Sequence, residues 1–176
     1  MSILKIARLG HPILRKKATK VKDFGTPKLI KLVNDMIETM LDANGIGLAA
    51  PQVHIDKQIL ILRKQEKIDS QNKKIEIGVL INPKLSKISN ETANDWEGCL
   101  SIPGMLGLVK RFSKIKYEGY DINGKKISRT VSGLHARILQ HEYDHLLGIL
   151  YINRLADNRA FGFSDEIESY WKQMNE

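Results

Sequence analysis

Residues 140 to 148 read QHEYDHLLG, with two histidines four positions apart and a glutamate directly after the first. On a helix, positions i and i+4 lie one above the other, so His141 and His145 can present their rings to one point. That arrangement suits a divalent metal ion. Glu142 starts about a hundred degrees further round the helix, near enough to act as a base on water at such a centre without being a ligand. The pattern is the HExxH signature of metallohydrolases.

A catalytic tetrahedral site normally takes three protein ligands and keeps one position open. HExxH supplies two. The residues after His145 contain no further histidine, which leaves Asp157 and Glu166 as formal candidates on that side. Upstream, WEGCLSIPGMLG contains Cys99, the only cysteine of the chain. A lone cysteine is by default a small buried hydrophobe, and it cannot close an internal disulfide. Its thiolate is nevertheless a good ligand for a borderline metal, and Gly98 beside it lets another segment come close. A third stretch, GIGLAAPQ at 45 to 52, offers small residues whose main chain could line a substrate, and ends in an amide that can donate to an oxyanion.

Elements that can position these residues are visible in the patterning. TPKLIKLVNDMIETMLDANG carries apolar residues at helical spacing from Leu29 to Leu41, with Thr26 as N-cap, Pro27 at the first helical position, and Asn44 and Gly45 at the exit. KQILILR and KIEIGVLINP are β-branched runs that read as strands, with Gln65 to Lys74 as a solvated loop between them. SKIKYEGYDI and KKISRTV meet at Asn123 and Gly124, a tight-hairpin signal. From Ser132 to about Leu147 the pattern is helical again, and the metal motif rides on that helix. Asp165 and Glu168 could form a capping box for a short C-terminal helix whose face holds Ile167, Tyr170, Trp171 and Met174. The expected fold is a single α+β domain over 1–176, with antiparallel sheets around a central helix carrying HExxH and a short C-terminal helix.

The chain has 176 residues, 42% hydrophobic and 27% charged, an ordinary globular composition. No apolar run approaches the roughly 20 residues of a membrane span. The start lacks the apolar stretch and small-residue cleavage site of a signal peptide, so a cytoplasmic location is expected. The net charge of +8 favours an anionic partner without naming one. Residues 151 to 176 run against it, with three Lys/Arg and five Asp/Glu.

GIGLAAPQ, EGCLS and QHEYDH, in this order and at these separations, resemble the three characteristic motifs of the bacterial and organellar peptide deformylases. The resemblance extends from RLGHPILRKKA to about GILYINRL. It implies that Cys99, His141 and His145 hold one divalent metal, ferrous iron first, with Zn2+, Ni2+ or Co2+ also accommodated. It implies that Glu142 is the general acid/base, and that Gln52 and the backbone N–H of Leu100 stabilise the oxyanion. Ile46, Leu134 and Ile138 would wall a methionine pocket, with Gly47 bonding an extended peptide backbone. The implied activity is removal of the formyl group from the N-terminal formylmethionine of nascent polypeptides, releasing formate. Implied partners are those nascent peptides and, transiently, the ribosome, with neither DNA nor membrane. Two rival readings stay open at this point: a small HExxH metallopeptidase using Asp157 or Glu166, and a non-enzymatic basic ribosome-associated protein. Glu97 and Arg111 could pair behind the metal, Asp144 has no assignable role, and His11, His54 and His135 read as structural.

Overall fold

The computed structural model describes residues 2–63 and 76–171. The expected loop from Gln65 to Lys74 therefore lies outside the described residues, as does Met174.

The first helix, α1 (Pro27–Asp42), begins where its capping chemistry predicts. Thr26 Oγ1 accepts the N–H of Leu29 at 3.2 Å, satisfying one of the orphan donors of the first turn. Leu29, Val33, Met36 and Met40 are buried against Leu48, Ile59, Ile61 and Ile81, while Ile30 and Leu41 at the margins of the stripe stay exposed. Asn44 adopts φ 52° at the exit, and Gly45 N–H closes the end on Met40 O.

Among the described residues the strands are β1 (Gly47–Ala49), β2 (Ile59–Arg63), β3 (Ile77–Lys87), β4 (Thr92–Cys99), β5 (Ile102–Phe112), β6 (Lys114–Tyr120), β7 (Lys126–Ser132) and β8 (Phe161–Phe163). They form two antiparallel sheets, one in the order β1-β2-β3-β6-β7 and the other in the order β4-β5-β8. The β6–β7 hairpin forms where Asn123 and Gly124 signal it, but through a wider turn. Tyr120 pairs with Lys126, leaving five residues in the loop. Asp121 Oδ1 accepts from the N–H groups of both Asn123 and Lys125, so a side-chain-built turn replaces the two-residue one; only Gly124 takes a positive φ there.

The second helix, α2 (Gly133–Leu146), contacts strands of both sheets and carries the HExxH residues. Ser132 occupies its cap position without a side-chain bond. Ala136, Ile138, Leu139 and Leu146 pack on Leu60, Leu62, Leu80, Ile115 and Tyr117 of the five-stranded sheet. A separate cluster of Leu14, Ile102, Val109, Leu150 and Tyr151 backs the three-stranded sheet.

The C-terminal helix is short, a turn of α3 (Ser164–Glu166) running on as a π turn over Ile167–Trp171. Phe163 holds the cap position without a side-chain bond, so Asp165 stands inside the first turn and not at the cap where an Asp165–Glu168 box would put it. Ile167 is buried and Tyr170 is 64% exposed. The wider π winding turns Tyr170 off the face that Ile167 uses. No helix among the described residues is long and apolar enough to cross a membrane.

Candidate metal centre

Cys99, His141 and His145 converge. One ligand atom from each lies within 4.8 Å of the others, and Cys99 Sγ is 3.4 Å from His145 Nε2. The two imidazoles come from successive turns of α2, their rings edge to face with centroids 5.0 Å apart. The thiol comes from the end of β4. There the pairing with β5 changes register between Glu97 and Cys99, so Cys99 stands beyond the regular ladder, at the turn into β5. Asp157 is instead taken up by Arg159, and Glu166 is exposed. Among the described residues no other cluster of metal-ligating side chains forms.

The donor set fits a metal ion. Glu97 Oε2 lies 2.8 Å from His141 Nδ1, which places the proton on Nδ1 and leaves the Nε2 lone pair for a ligand. The His141 ring also stacks on Tyr151 at 6.1 Å and 21°. Burial disfavours the His141 imidazolium, yet hydrogen bonds to Cys99 and Glu97 outweigh it and raise its pKa to about 10. A cation at the same point competes with that proton. His145 is driven the other way, by burial and then by His141, so two adjacent rings do not both charge. Thiolate and imidazole are the ligands that borderline divalent ions prefer.

Glu142 is buried, and burial pushes its carboxyl up to about 7. Its Oε2 has no hydrogen-bond partner in the protein, an expensive arrangement unless the oxygen handles a proton of something bound. Gly47 makes room for it: a Cβ there would strike the Glu142 carboxylate, so the strand can approach α2 only without a side chain.

Gln52 is likewise buried and aimed. Its Oε1 accepts the Ala49 N–H at 2.9 Å, so its NH2 end faces Ser101 Oγ at 3.2 Å and Cys99 Sγ at 3.5 Å. The amide therefore presents donors to the metal-ligand side. Ile46, Gly47, Leu100, Leu134 and Ile138 line one cavity of about 470 Å³ together with Gln52, Cys99, His141 and Glu142. Ile46 and Leu134 are about half exposed within it, and Ile138 is nearly covered.

Behind the imidazoles runs a buried ion network. Arg111 grips Glu97 with two bonds, Nε to Oε1 at 3.0 Å and Nη2 to Oε2 at 2.9 Å. Its Nη1 donates to Asp144 Oδ2 at 2.5 Å, and Arg154 holds the same carboxylate at 3.0 Å. Burial favours the neutral Glu97 carboxyl, but the bonds to His141 and Arg111 overcome it and hold its pKa at about 2. Asp144, without a role on sequence grounds, is thus the second anchor of Arg111. Arg137 and Tyr151 were not singled out at all. The i,i+4 spacing of Arg137 and His141 was a usable signal, whereas nothing local announces Tyr151. His11 and His54 pair edge to face at 4.6 Å, outside the metal-ligand group.

An α+β fold that gathers a thiol, two helix-borne imidazoles and an adjacent buried carboxylate around one cavity is the architecture of a mononuclear metallohydrolase. The polypeptide deformylase family model matches residues 3–160, and the chain belongs to that family of metal-dependent enzymes, which remove formyl groups from nascent peptides. It is 46% identical over 165 residues to peptide deformylase 1 of Nitrosomonas europaea, covering 92% of this chain and 93% of that one. The Met-Ala-Ser-bound class I type b peptide deformylase of Acinetobacter baumannii superposes with a TM-score of 0.79 at 35% identity, covering 87% of this chain and 98% of that one. A plant peptide deformylase gives 0.80 at 36% identity, with 97% and 88% covered.

Proposed function

We propose that Cys99 Sγ and the Nε2 atoms of His141 and His145 hold the metal, and that Glu142 moves the protons when the formyl group leaves an N-terminal formylmethionine. The observation that carries this reading is the convergence of the three ligand atoms within 4.8 Å, with the buried, unpartnered Glu142 oxygen opening on the same cavity.

When bound, a divalent ion at such a site supplies Lewis acidity and makes water acidic enough to ionise near neutral pH. Glu142 takes the proton of the attacking water as its oxygen adds to the formyl carbon. Charge builds on the formyl oxygen, where Gln52 Nε2 and the Leu100 N–H donate. Glu142 then passes the proton to the amine nitrogen as the C–N bond breaks, and formate separates from a free methionyl terminus. Ile46, Leu134 and Ile138 receive the methionine side chain, and Gly47 in β1 offers backbone bonds to the extended peptide, as when a chain adds to a sheet edge. The Acinetobacter relative binds Met-Ala-Ser, which supports a methionyl peptide as the kind of molecule this cavity takes.

Ferrous iron is the metal of first choice for a thiolate-imidazole set in this family, with Zn2+, Ni2+ and Co2+ as alternatives the same donors accept. The charge of +8 supports transient contact with ribosomal RNA through the basic segments 5–22 and 110–129, in the cytoplasm.

Anaerobically prepared protein incubated with formyl-Met-Ala-Ser should release formate. Metal-loaded protein that releases none overturns the reading, and a Cys99→Ala variant that keeps both metal and activity would transfer the site to a peptidase using Asp157 or Glu166.

A further inference from the structure

We propose that Arg137 is a positioning residue: it locks α2 against the three-stranded sheet through Glu97 and so sets the distance between the thiol of β4 and the imidazoles of α2. The proposal rests on the ligand assignment above and adds what holds those ligands together.

Arg137 lies one helical turn before His141, on the same face of α2. Both side chains converge on one carboxylate. Arg137 Nη1 donates to Glu97 Oε1 at 2.8 Å, while His141 Nδ1 meets Glu97 Oε2 at 2.8 Å. Glu97 is two residues from Cys99 on β4, so a single carboxylate joins the strand that carries the sulfur to two successive turns of the helix that carries the nitrogens.

The guanidinium does more than pair. Nη1 also donates to Val109 O at 3.0 Å in β5, and Nη2 donates to Ala93 O at 2.8 Å in β4. Asp95 adds a carboxylate at 3.8 Å from Nε. One side chain thus bonds both strands of the hairpin and the carboxylate between them. A planar guanidinium can do this, because its donors point outward in a fixed fork. Arg137 is 7% exposed, and a charge so enclosed is tolerated only because these partners surround it.

The division of labour with Arg111 is readable from the bonds. Arg111 holds Glu97 from β5 and leads on to Asp144, nearer the end of α2, whereas Arg137 acts at the turn before the first imidazole. Together they fix α2 at two points, on either side of His141. Losing Arg137 removes the polar tether one turn ahead of His141 and leaves the His141–Glu97 bond, the Gln140 bonds to Phe112 and the Arg111–Asp144 link beyond it.

The test is metal titration. Arg137→Met should bind Co2+ and Zn2+ about 10 to 100-fold more weakly in chelator competition, the loss typical for partners that orient metal ligands. Its Co2+ form should show shifted thiolate and ligand-field absorption. Arg137→Lys, which can reach Glu97 but cannot fork to Ala93 as well, should recover part of the affinity. In a double-mutant cycle with Glu97→Gln the two losses should overlap rather than add. A folded Arg137→Met protein with wild-type affinity and Co2+ spectrum, even at a lower urea midpoint, overturns the proposal. If that variant does not fold, an Arg137→Lys protein indistinguishable from wild type in affinity and spectrum overturns it instead. Failure of the deformylase reading would show as absent formate from the wild-type protein, a separate result.

Discussion

The two long helices bury opposite chemistries. α1 packs an apolar stripe of Leu29, Val33, Met36 and Met40 on the five-stranded sheet, with Asp35 and Thr39 the polar groups drawn in. α2 buries Arg137, Glu142, Asp144 and His145 beside Ala136, Ile138, Leu139 and Leu146. The apolar face of α1 is held by area removed from water and asks little of geometry. The polar face of α2 is held only while each charge keeps its partner, because removing a partner leaves a buried charge uncompensated. On α1 the buried face serves stability alone, whereas on α2 the groups that shape the site also hold the fold together.

Substitutions can break or sharpen that contrast. On α2, Glu142→Gln removes the carboxyl to which we assign the proton transfers while leaving the shape of the site. Formate release should fall by about 100 to 10,000-fold, with metal content by elemental analysis near that of wild type. Behind α2, Arg111→Met in β5 takes a buried cation from both Glu97 and Asp144 and leaves them only Arg137, His141 and Arg154, so urea unfolding should register a loss of about 3 to 5 kcal/mol. On α1, Met36→Ala opens a hole in a fully covered position and should cost about 2 to 5 kcal/mol, with the turnover number for formyl-Met-Ala-Ser kept at temperatures where the protein stays folded. Thr26→Ala removes only the capping bond to Leu29, so about 1 kcal/mol by urea titration is expected, and no change in metal affinity. A loss of metal affinity in either α1 variant would contradict the separation of roles.

The same contrast explains what could be read from the amino acids alone. α1 was legible because its periodic apolar residues, cap and proline all point to one answer, and its ends fall where those signals put them. α2 was legible through its histidines and glutamate, and Cys99 through being the sole thiol. The long β4–β5 hairpin that carries Cys99 was not seen. Gly98, Pro103, Gly104 and Gly107 interrupt its alternation, and each weakens the local signal of a strand. β1 and β8, three residues each, exist through partners distant in the chain rather than through their own composition. Nothing in the local sequence assigns Arg137 a role, because its partners are carbonyls and a carboxylate 28 to 44 residues away. The Asn123–Gly124 turn was placed correctly but sized too tightly, since Asp121 supplies the closing bonds.

β1 stands at the border of its sheet, yet Gly47, Leu48 and Ala49 are all buried, Gly47 at the wall of the cavity and the other two in the core. Exposed sheet borders invite neighbouring molecules to zip on and precipitate. Here the border strand is only three residues long and each of them is buried. A border so short and so covered leaves little for a foreign sheet to pair with, which guards the fold against clumping.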